Sequence, residues 1–278
     1  MSKKTRKGDN IKSELFDAIK NYDFPKMKNL VIGGRDIDLV DGYGRTALVQ
    51  ILPRIYHLKK YEIRLMENTN QFQKISIGNS YAFYLELFYE IVMIMIDKYN
   101  LTLVDYDGKD ALFYTIIHNQ YRFAKRILKR YSEQSDSIDK NLNILHHYGV
   151  GEKTKIILSI IYSKKIFNIL INENVDVNIS DSHGKSLLMY SLCDHNIFKK
   201  VMAKKCDVHV KDIHGYNIIN YLCHEPQSEF QIDMFRKLFE CGCNINCQTN
   251  QGATPLMNAI RNNVDMIDEL IFNKCTCP

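Results

Sequence analysis

The sequence lacks a long uninterrupted apolar run. Its longest, Leu87 to Ile96, contains Glu90 and stops at Asp97, far short of the roughly 18 apolar residues that mark a membrane-spanning helix. The N-terminus is basic, and no apolar segment follows it, so no secretory signal is predicted. We therefore expect a protein that remains in the reducing cytoplasm and has no membrane partner.

Motifs of catalysis and cofactor binding are also lacking. The sequence contains no G-x-S-x-G, H-E-x-x-H, Walker-type or dinucleotide-binding glycine motif. The adjacent Gly33 and Gly34 follow a helical pattern and open no further helix, which favours a helix C-terminus. We expect no enzyme, no catalytic residue and no cofactor.

The composition is that of a folded chain with a mild charge. Of the 278 residues, 45% are hydrophobic, enough for one or two domains or for one elongated array. The net charge is +5. Residues 1–10 form a basic segment that we expect to be a disordered tail. Binding of this tail to nucleic acid, membrane or an import receptor is the alternative.

One short pattern recurs along the chain. Each copy has an acidic or hydroxyl residue, two tip residues, a glycine, a variable residue, a capping residue and then apolar residues. The glycine supplies the positive φ of a tight turn, and the capping side chain can begin a helix. The turn glycines are Gly44, Gly108, Gly184, Gly215 and Gly252, and the capping residues are Thr46, Asp110, Ser186, Asn217 and Thr254. A degenerate copy has Asn141 at the glycine position and keeps Leu145 and His146.

Two amphipathic stretches follow each turn, and an extended segment then leads to the next turn. The second stretch carries apolar residues four apart, as in Met234 with Leu238 and Met266 with Leu270. The polar, irregular stretch from Glu67 to Ser80 indicates a long inserted loop over about residues 57–80.

This unit of a turn and two helices, with T-P-L at Thr254 to Leu256, is similar to the ankyrin repeat, whose period is about 33 residues. The resemblance covers nearly the whole chain. It implies an all-α fold, an ankyrin-repeat solenoid of about seven helix-turn-helix repeats with one long inserted loop. The predicted repeats are residues 11–40 as the N-terminal cap, then 41–104, 105–138, 139–180, 181–211, 212–248 and 249–278.

The cysteines include two C-x-C pairs, which raises the alternative of a zinc or redox site. The resemblance argues for packing instead. Cys206, Cys243 and Cys275 fall at the position after the second helix that ankyrin proteins usually fill with alanine. We therefore expect structural thiols and no metal.

Three tyrosines, Tyr114, Tyr190 and Tyr221, share one position in the first helix. The resemblance implies that they pack between repeats with the hydroxyl at the rim. A stacking platform for nucleic-acid bases is the alternative. His146 matches the ankyrin helix histidine, which implies a hydrogen bond in the turn network.

The tips and helix ends of such a solenoid form a concave surface for partners. Large residues at exposed tips favour protein contacts, and basic ones favour an acidic partner. The predicted partner-binding residues are Tyr43, Arg45, Tyr106, Lys109, His183, Lys185, Ile213, His214, Tyr216 and Arg261. The insertion at 57–80 is a second candidate surface.

The richness in Ile, Asn, Lys and Tyr and the irregular repeat lengths resemble poxvirus ankyrin proteins, although any AT-rich genome would give this composition. The resemblance implies a host-range or immune-evasion factor that binds and blocks a host protein in the host cell cytoplasm. The alternative is the substrate-recognition part of a cullin ubiquitin-ligase adaptor. That role needs a C-terminal F-box-like segment, which is missing here, so ligase components are partners only if such a segment exists. A nucleic-acid partner is not expected.

Overall fold

The computed structural model describes residues 14–34, 38–55, 71–133, 145–147, 152–173, 175–224, 230–262 and 265–273. The predicted tail, the greater part of the 57–80 insertion, Asn141 and Cys275 lie outside these ranges. The chain divides into two compact units, Met1–Ile138 and Asp139–Pro278. Each unit is described by itself.

The first unit consists of antiparallel helix pairs. Its helices are α1 (Glu14–Asn21), α2 (Phe24–Gly33), α3 (residues 47–55), α4 (Gln71–Lys98), α5 (Ala111–Ile117) and α6 (Tyr121–Glu133). Helices α1 and α2 form the predicted N-terminal pair. Gly34 ends α2 in the left-handed conformation at φ 67°, and its amide donates to the carbonyls of Leu30 and Val31. The predicted helix C-terminus at Gly33 and Gly34 is therefore confirmed.

The second unit begins with a short ribbon and continues as helix pairs. Its elements are β1 (Leu145–His147), β2 (Glu152–Thr154), α7 (Lys155–Tyr162), α8 (Lys164–Leu170), α9 (Leu187–Tyr190) with the 3-10 turn Ser191–Cys193, α10 (His195–Met202), α11 (Ile218–His224), α12 (Gln231–Glu240), α13 (Pro255–Asn262) and α14 (Asp265–Phe272). Throughout the described part of the chain, no helix is both long and apolar enough to cross a membrane.

The predicted helical place of Leu145 and His146 is wrong. Both residues lie on β1, which pairs antiparallel with β2 so that His146 faces Lys153 across the ribbon. The first helix of this repeat instead begins at Lys155, because Thr154 caps it by accepting from the Ile157 amide at 3.5 Å.

The predicted loop at 57–80 is also wrong in its second half. Residues 71–80 are the start of α4, which runs for 28 residues without a proline to interrupt it. The later turns of α4 bury Phe88, Val92 and Met95 in the core of the first unit. This repeat therefore has a lengthened second helix.

The predicted helix caps are confirmed at all five repeats. In each case the capping side chain accepts from the backbone amide three residues later, and the distances lie between 2.8 and 3.3 Å. The second helices then bury residues three or four apart, such as Phe235 with Leu238 and Met266 with Leu270. Local capping and the apolar stripe together fix where each helix begins and which side it buries.

The turn glycines provide a matched test of how closely neighbouring hairpins approach. Gly215 and Gly252 have φ of 80° and 78°. A Cβ on Gly215 would lie 2.9 Å from the Asn250 backbone nitrogen, whereas a Cβ on Gly252 would meet nothing within 4 Å. We predict that Gly252→Ala lowers the free energy of unfolding by about 1 to 2 kcal/mol through the left-handed backbone alone.

Gly215→Ala should cost clearly more, because its Cβ also meets the next hairpin. Urea unfolding of the two variants beside the parent chain measures the difference. Equal midpoints for the two variants would contradict the close approach of the hairpins.

Candidate functional site

In four hairpins, a carboxylate at the start fixes the backbone of the tip. Asp212 Oδ1 accepts from the amides of His214 and Tyr216 at 2.9 and 2.8 Å. The Gly215 amide also donates to the Asp212 carbonyl at 3.0 Å. The same pair of amide bonds recurs at Asp41, Asp105 and Asp181. The tip backbone is therefore held without help from the tip side chains.

The second oxygen of the same carboxylate holds a tyrosine of the following helix. Tyr221 donates its hydroxyl hydrogen to Asp212 Oδ2 at 2.8 Å, and Tyr190 does the same to Asp181 at 2.8 Å. In the first unit, Tyr114 donates to Asp105 at 2.7 Å. These rings are half-buried, with the hydroxyl at the hairpin, as expected at the rim.

Burial and the neighbouring carboxylate make these phenols hard to ionise. For Tyr221, desolvation is the largest cause, followed by the hydrogen bond to Asp212 and its negative charge, and together they raise the pKa well above its ordinary value. The same causes act on the pKa of Tyr114 and Tyr190. The neutral hydroxyl is thus the form that the fold uses.

The first hairpin replaces the tyrosine with other donors. Gln50 Nε2 donates to Asp41 Oδ2 at 2.7 Å, and the Arg45 guanidinium donates to the same oxygen at 2.7 and 2.9 Å. Partial burial alone would raise the pKa of Asp41, but the hydrogen bonds from Arg45, Tyr43 and Gln50 hold it below its ordinary value.

The last hairpin lacks both members of the pair. Thr249 stands in place of the aspartate and accepts from the Ala253 amide through Oγ1 at 3.1 Å. Asn258 stands in place of the tyrosine and is buried. Its Nδ2 has no hydrogen-bond partner within the described residues. Among the described residues, no side-chain hydrogen bond replaces at this hairpin the one that Tyr221 makes to Asp212.

Within each unit, neighbouring hairpins are joined edge to edge. In the first unit, the Tyr106 amide donates to the Tyr43 carbonyl at 3.1 Å. In the second unit, the Ile213 amide donates to the His183 carbonyl, and the Asn250 amide donates to the His214 carbonyl, both at 2.9 Å. The tip side chains of each unit therefore lie side by side.

The structure leaves the large predicted tip residues accessible. Tyr43 is 69% exposed and Tyr106 is 77% exposed in the first unit, while Ile213 is 53% exposed in the second. The other predicted residues of the second unit are His183, Lys185 and Tyr216, which are half-buried, and His214 and Arg261, which are exposed.

Two of the predicted basic residues, Arg45 and Lys109, are already engaged within the chain. Arg45 pairs with Asp41 and lies 4.7 Å from the centroid of the Tyr43 ring. Lys109 Nζ is 3.1 Å from an oxygen of Asp107. These contacts neutralise part of the charge that was expected to attract an acidic partner.

Lys185 lies close to two aromatic rings. Its Nζ lies 4.7 Å from the centroid of Tyr190 and 4.5 Å from that of Tyr221, both within the range of a cation–π interaction. The ammonium group thus connects the tyrosines of two successive repeats.

A groove of about 440 Å³ opens beside the hairpin of Asp212. Its lining consists of Asp212, His214, Tyr216, Tyr221, His224, Asn250 and Gln251. It brings together two predicted site residues, His214 and Tyr216. Its lining also includes Tyr221, for which the sequence favoured packing between repeats, with base stacking as the alternative. The nine-residue spacing between an aspartate and a tyrosine in three repeats was the available signal for this residue.

The described thiols differ in burial: Cys223, Cys243 and Cys247 are buried, Cys206 is half-buried, and Cys193 and Cys241 are exposed. Burial is the main cause that raises the pKa of Cys243 to about 12 and that of Cys206 to about 11. The Cys243 Sγ lies 3.3 Å from the Val208 carbonyl oxygen. Among the residues that the structure describes, no three His, Cys, Asp or Glu side chains are placed to hold a metal ion.

No family model and no curated protein matches the sequence. The structure is similar to that of the ankyrin repeat domain of Bcl-3, a unique member of the IkappaB protein family, with a TM-score of 0.62 and 15% identity. The match covers 94% of this chain and 100% of that chain. Identity this low shows the fold alone. The fold is an ankyrin-repeat solenoid, a scaffold generally used for protein binding without catalysis.

Tyr221→Phe tests the bond between helix and hairpin. Removing the hydroxyl should lower the free energy of unfolding by about 1 kcal/mol at pH 7. The pKa of Tyr221 is higher in the folded state than in the unfolded state. Its contribution to the free energy of unfolding is therefore complete below the unfolded-state pKa of about 10, and it is lost as the pH rises through the folded-state pKa.

The loss in stability between pH 7 and pH 11 should therefore be smaller in Tyr221→Phe than in the parent chain, as measured by urea unfolding. Tyr216→Phe is the matched control, since its hydroxyl makes no hydrogen bond within the described residues. An effect of the same size in both variants would count against the role of the Asp212 bond.

Proposed function

We propose that this chain is a non-enzymatic binding module that captures a partner protein on the hairpin tips and groove of its second unit. The observation that carries the proposal is the groove beside Asp212, which has two tyrosines and two histidines in its lining. Tyrosine is among the residues that contribute most to protein interfaces. The ankyrin fold supports a binding role over a catalytic one.

The surface around the groove is organised before any partner arrives. Asp212 fixes the backbone of the tip, and the Asn250 side chain donates through Nδ2 to the Ile213 carbonyl at 2.9 Å. Ile213 nevertheless keeps most of its side chain in water. A fixed backbone reduces the entropy lost on binding, and an exposed apolar tip gains from burial.

The partner that we propose is a host protein, bound and blocked in the host cell cytoplasm. The resemblance of the sequence to poxvirus ankyrin proteins supports this finer step. The ubiquitin-ligase alternative receives no support from any described element, and a stable captured partner distinguishes blocking from degradation.

The proposal predicts that Ile213→Ala combined with Tyr216→Ala reduces capture of the partner at least tenfold. Both side chains would contribute apolar or aromatic area at the centre of the interface, and anchors of this kind cost about 2 kcal/mol or more each when truncated. The measurement is affinity purification from host cells, quantified by mass spectrometry with the proteasome blocked and unblocked.

Ile32→Ala is the matched control, since Ile32 is also an exposed isoleucine but lies on α2 of the first unit. It should capture the partner as the parent chain does. Capture that is equal in all three proteins, with equal melting, would refute this site.

A further inference from the structure

One pair of tyrosines in successive repeats already holds a cation of the chain itself. The Lys185 ammonium lies between the rings of Tyr190 and Tyr221, 4.7 and 4.5 Å from their centroids. Lys185 directly follows the turn glycine Gly184, so the cation comes from the hairpin that begins the repeat of Tyr190.

The space between the tyrosine positions of the next two repeats, which hold Tyr221 and Asn258, lacks that cation and one of the two rings. The residue after Gly215 is Tyr216, whose ring centroid is 5.8 Å from that of Tyr221 with the planes tilted by 55°. The following tyrosine position holds Asn258, and the residue after Gly252 is Ala253. The groove lies in this space, where a long basic side chain and a second phenol ring are both missing.

The charge of the groove favours an incoming cation. The described lining contains two histidines, two phenols and one carboxylate, that of Asp212, and it contains no lysine or arginine. That carboxylate accepts the Tyr221 hydroxyl, so negative charge lies at the edge of an aromatic wall. Cations bind the faces of such rings, and a nearby carboxylate adds to the attraction.

Arginine fits this groove better than lysine does. Lys185 already places a compact charge 4.5 Å from the Tyr221 centroid, which opposes a second compact charge beside the same ring. A guanidinium spreads its charge over a plane, is more weakly hydrated and stacks on aromatic faces.

We propose that this groove holds an arginine side chain of the partner protein, with its guanidinium against the rings of Tyr216 and Tyr221 and near the Asp212 carboxylate. The inference rests on the proposed function and names the chemistry that the second unit recognises. It reverses the expectation of an acidic partner at this position.

The test is a titration of the full chain, labelled on its tyrosine rings, with Nα-acetyl-arginine methylamide, followed by NMR. The control probe is Nα-acetyl-citrulline methylamide, which has nearly the same shape and no charge. The Tyr216 and Tyr221 signals should shift saturably with the arginine probe. The citrulline probe should bind roughly five- to thirtyfold more weakly, as expected for a lost cation–π contact.

Variants locate the binding site and show whether a lost signal reflects lost binding or a misfolded protein. Tyr216→Leu should abolish the shift at Tyr221, Tyr216→Phe should preserve it because the ring remains, and Tyr43→Leu in the first unit should leave it unchanged. Equal responses to arginine and citrulline, or no saturable shift at all, would overturn the proposal.

Peptide display against the parent chain and Tyr216→Leu separates this inference from the proposed function. Peptides that depend on Tyr216 and contain arginine support both. Peptides that depend on Tyr216 without any basic residue uphold the proposed function and overturn the arginine groove. A positive titration without any Tyr216-dependent peptide supports the groove chemistry and counts against the proposed function.

Discussion

The hairpins depend on one aspartate whose two carboxylate oxygens accept hydrogen bonds from different parts of the repeat. One oxygen accepts two backbone amides of the hairpin tip, and the other accepts the hydroxyl of a tyrosine on the following helix, as Asp212 and Tyr221 show. A single buried charge thereby joins the turn, the helix start and the first-helix ring into one rigid group. Because these bonds use the backbone and the ring, the tip side chains are left available for contacts with a partner.

Replacement of either member of this aspartate–tyrosine pair changes the surface around the hairpin. At Asp41 the tyrosine is replaced by Gln50, and Arg45 takes part in the same cluster. At Thr249 the charge is gone, and Asn258 fills the tyrosine position with a shorter side chain. The groove borders this last hairpin, so loss of the repeated pair and formation of a candidate binding site go together. Irregularity in a repeat protein is therefore informative about function.

Much of the fold could be predicted from the sequence, because turn glycines, helix caps and apolar stripes are local chemistry. The positive φ at Gly184 and the cap at Ser186 need only their immediate neighbours. The ribbon around Leu145 could not be predicted in this way, because strand pairing depends on Glu152 to Thr154 further along the chain. The groove was missed for a similar reason, because it depends on positions in two successive repeats. Tyr216 and Ala253 stand where Lys185 follows Gly184, and Asn258 stands at the tyrosine position. The engagement of Lys185 by two rings was also invisible, because one ring belongs to the next repeat.

We propose that the hairpin tips of the second unit, and not the second helices of its repeats, contact the partner. Photo-crosslinking tests it directly, with benzoylphenylalanine placed at Ile213 on a tip or at Phe239 on α12, two positions that are both exposed. The account predicts a covalent partner adduct from position 213 and none from position 239 when the two proteins are irradiated in the same host-cell extract. An adduct from position 239 alone would contradict the account and would place binding on the second helices.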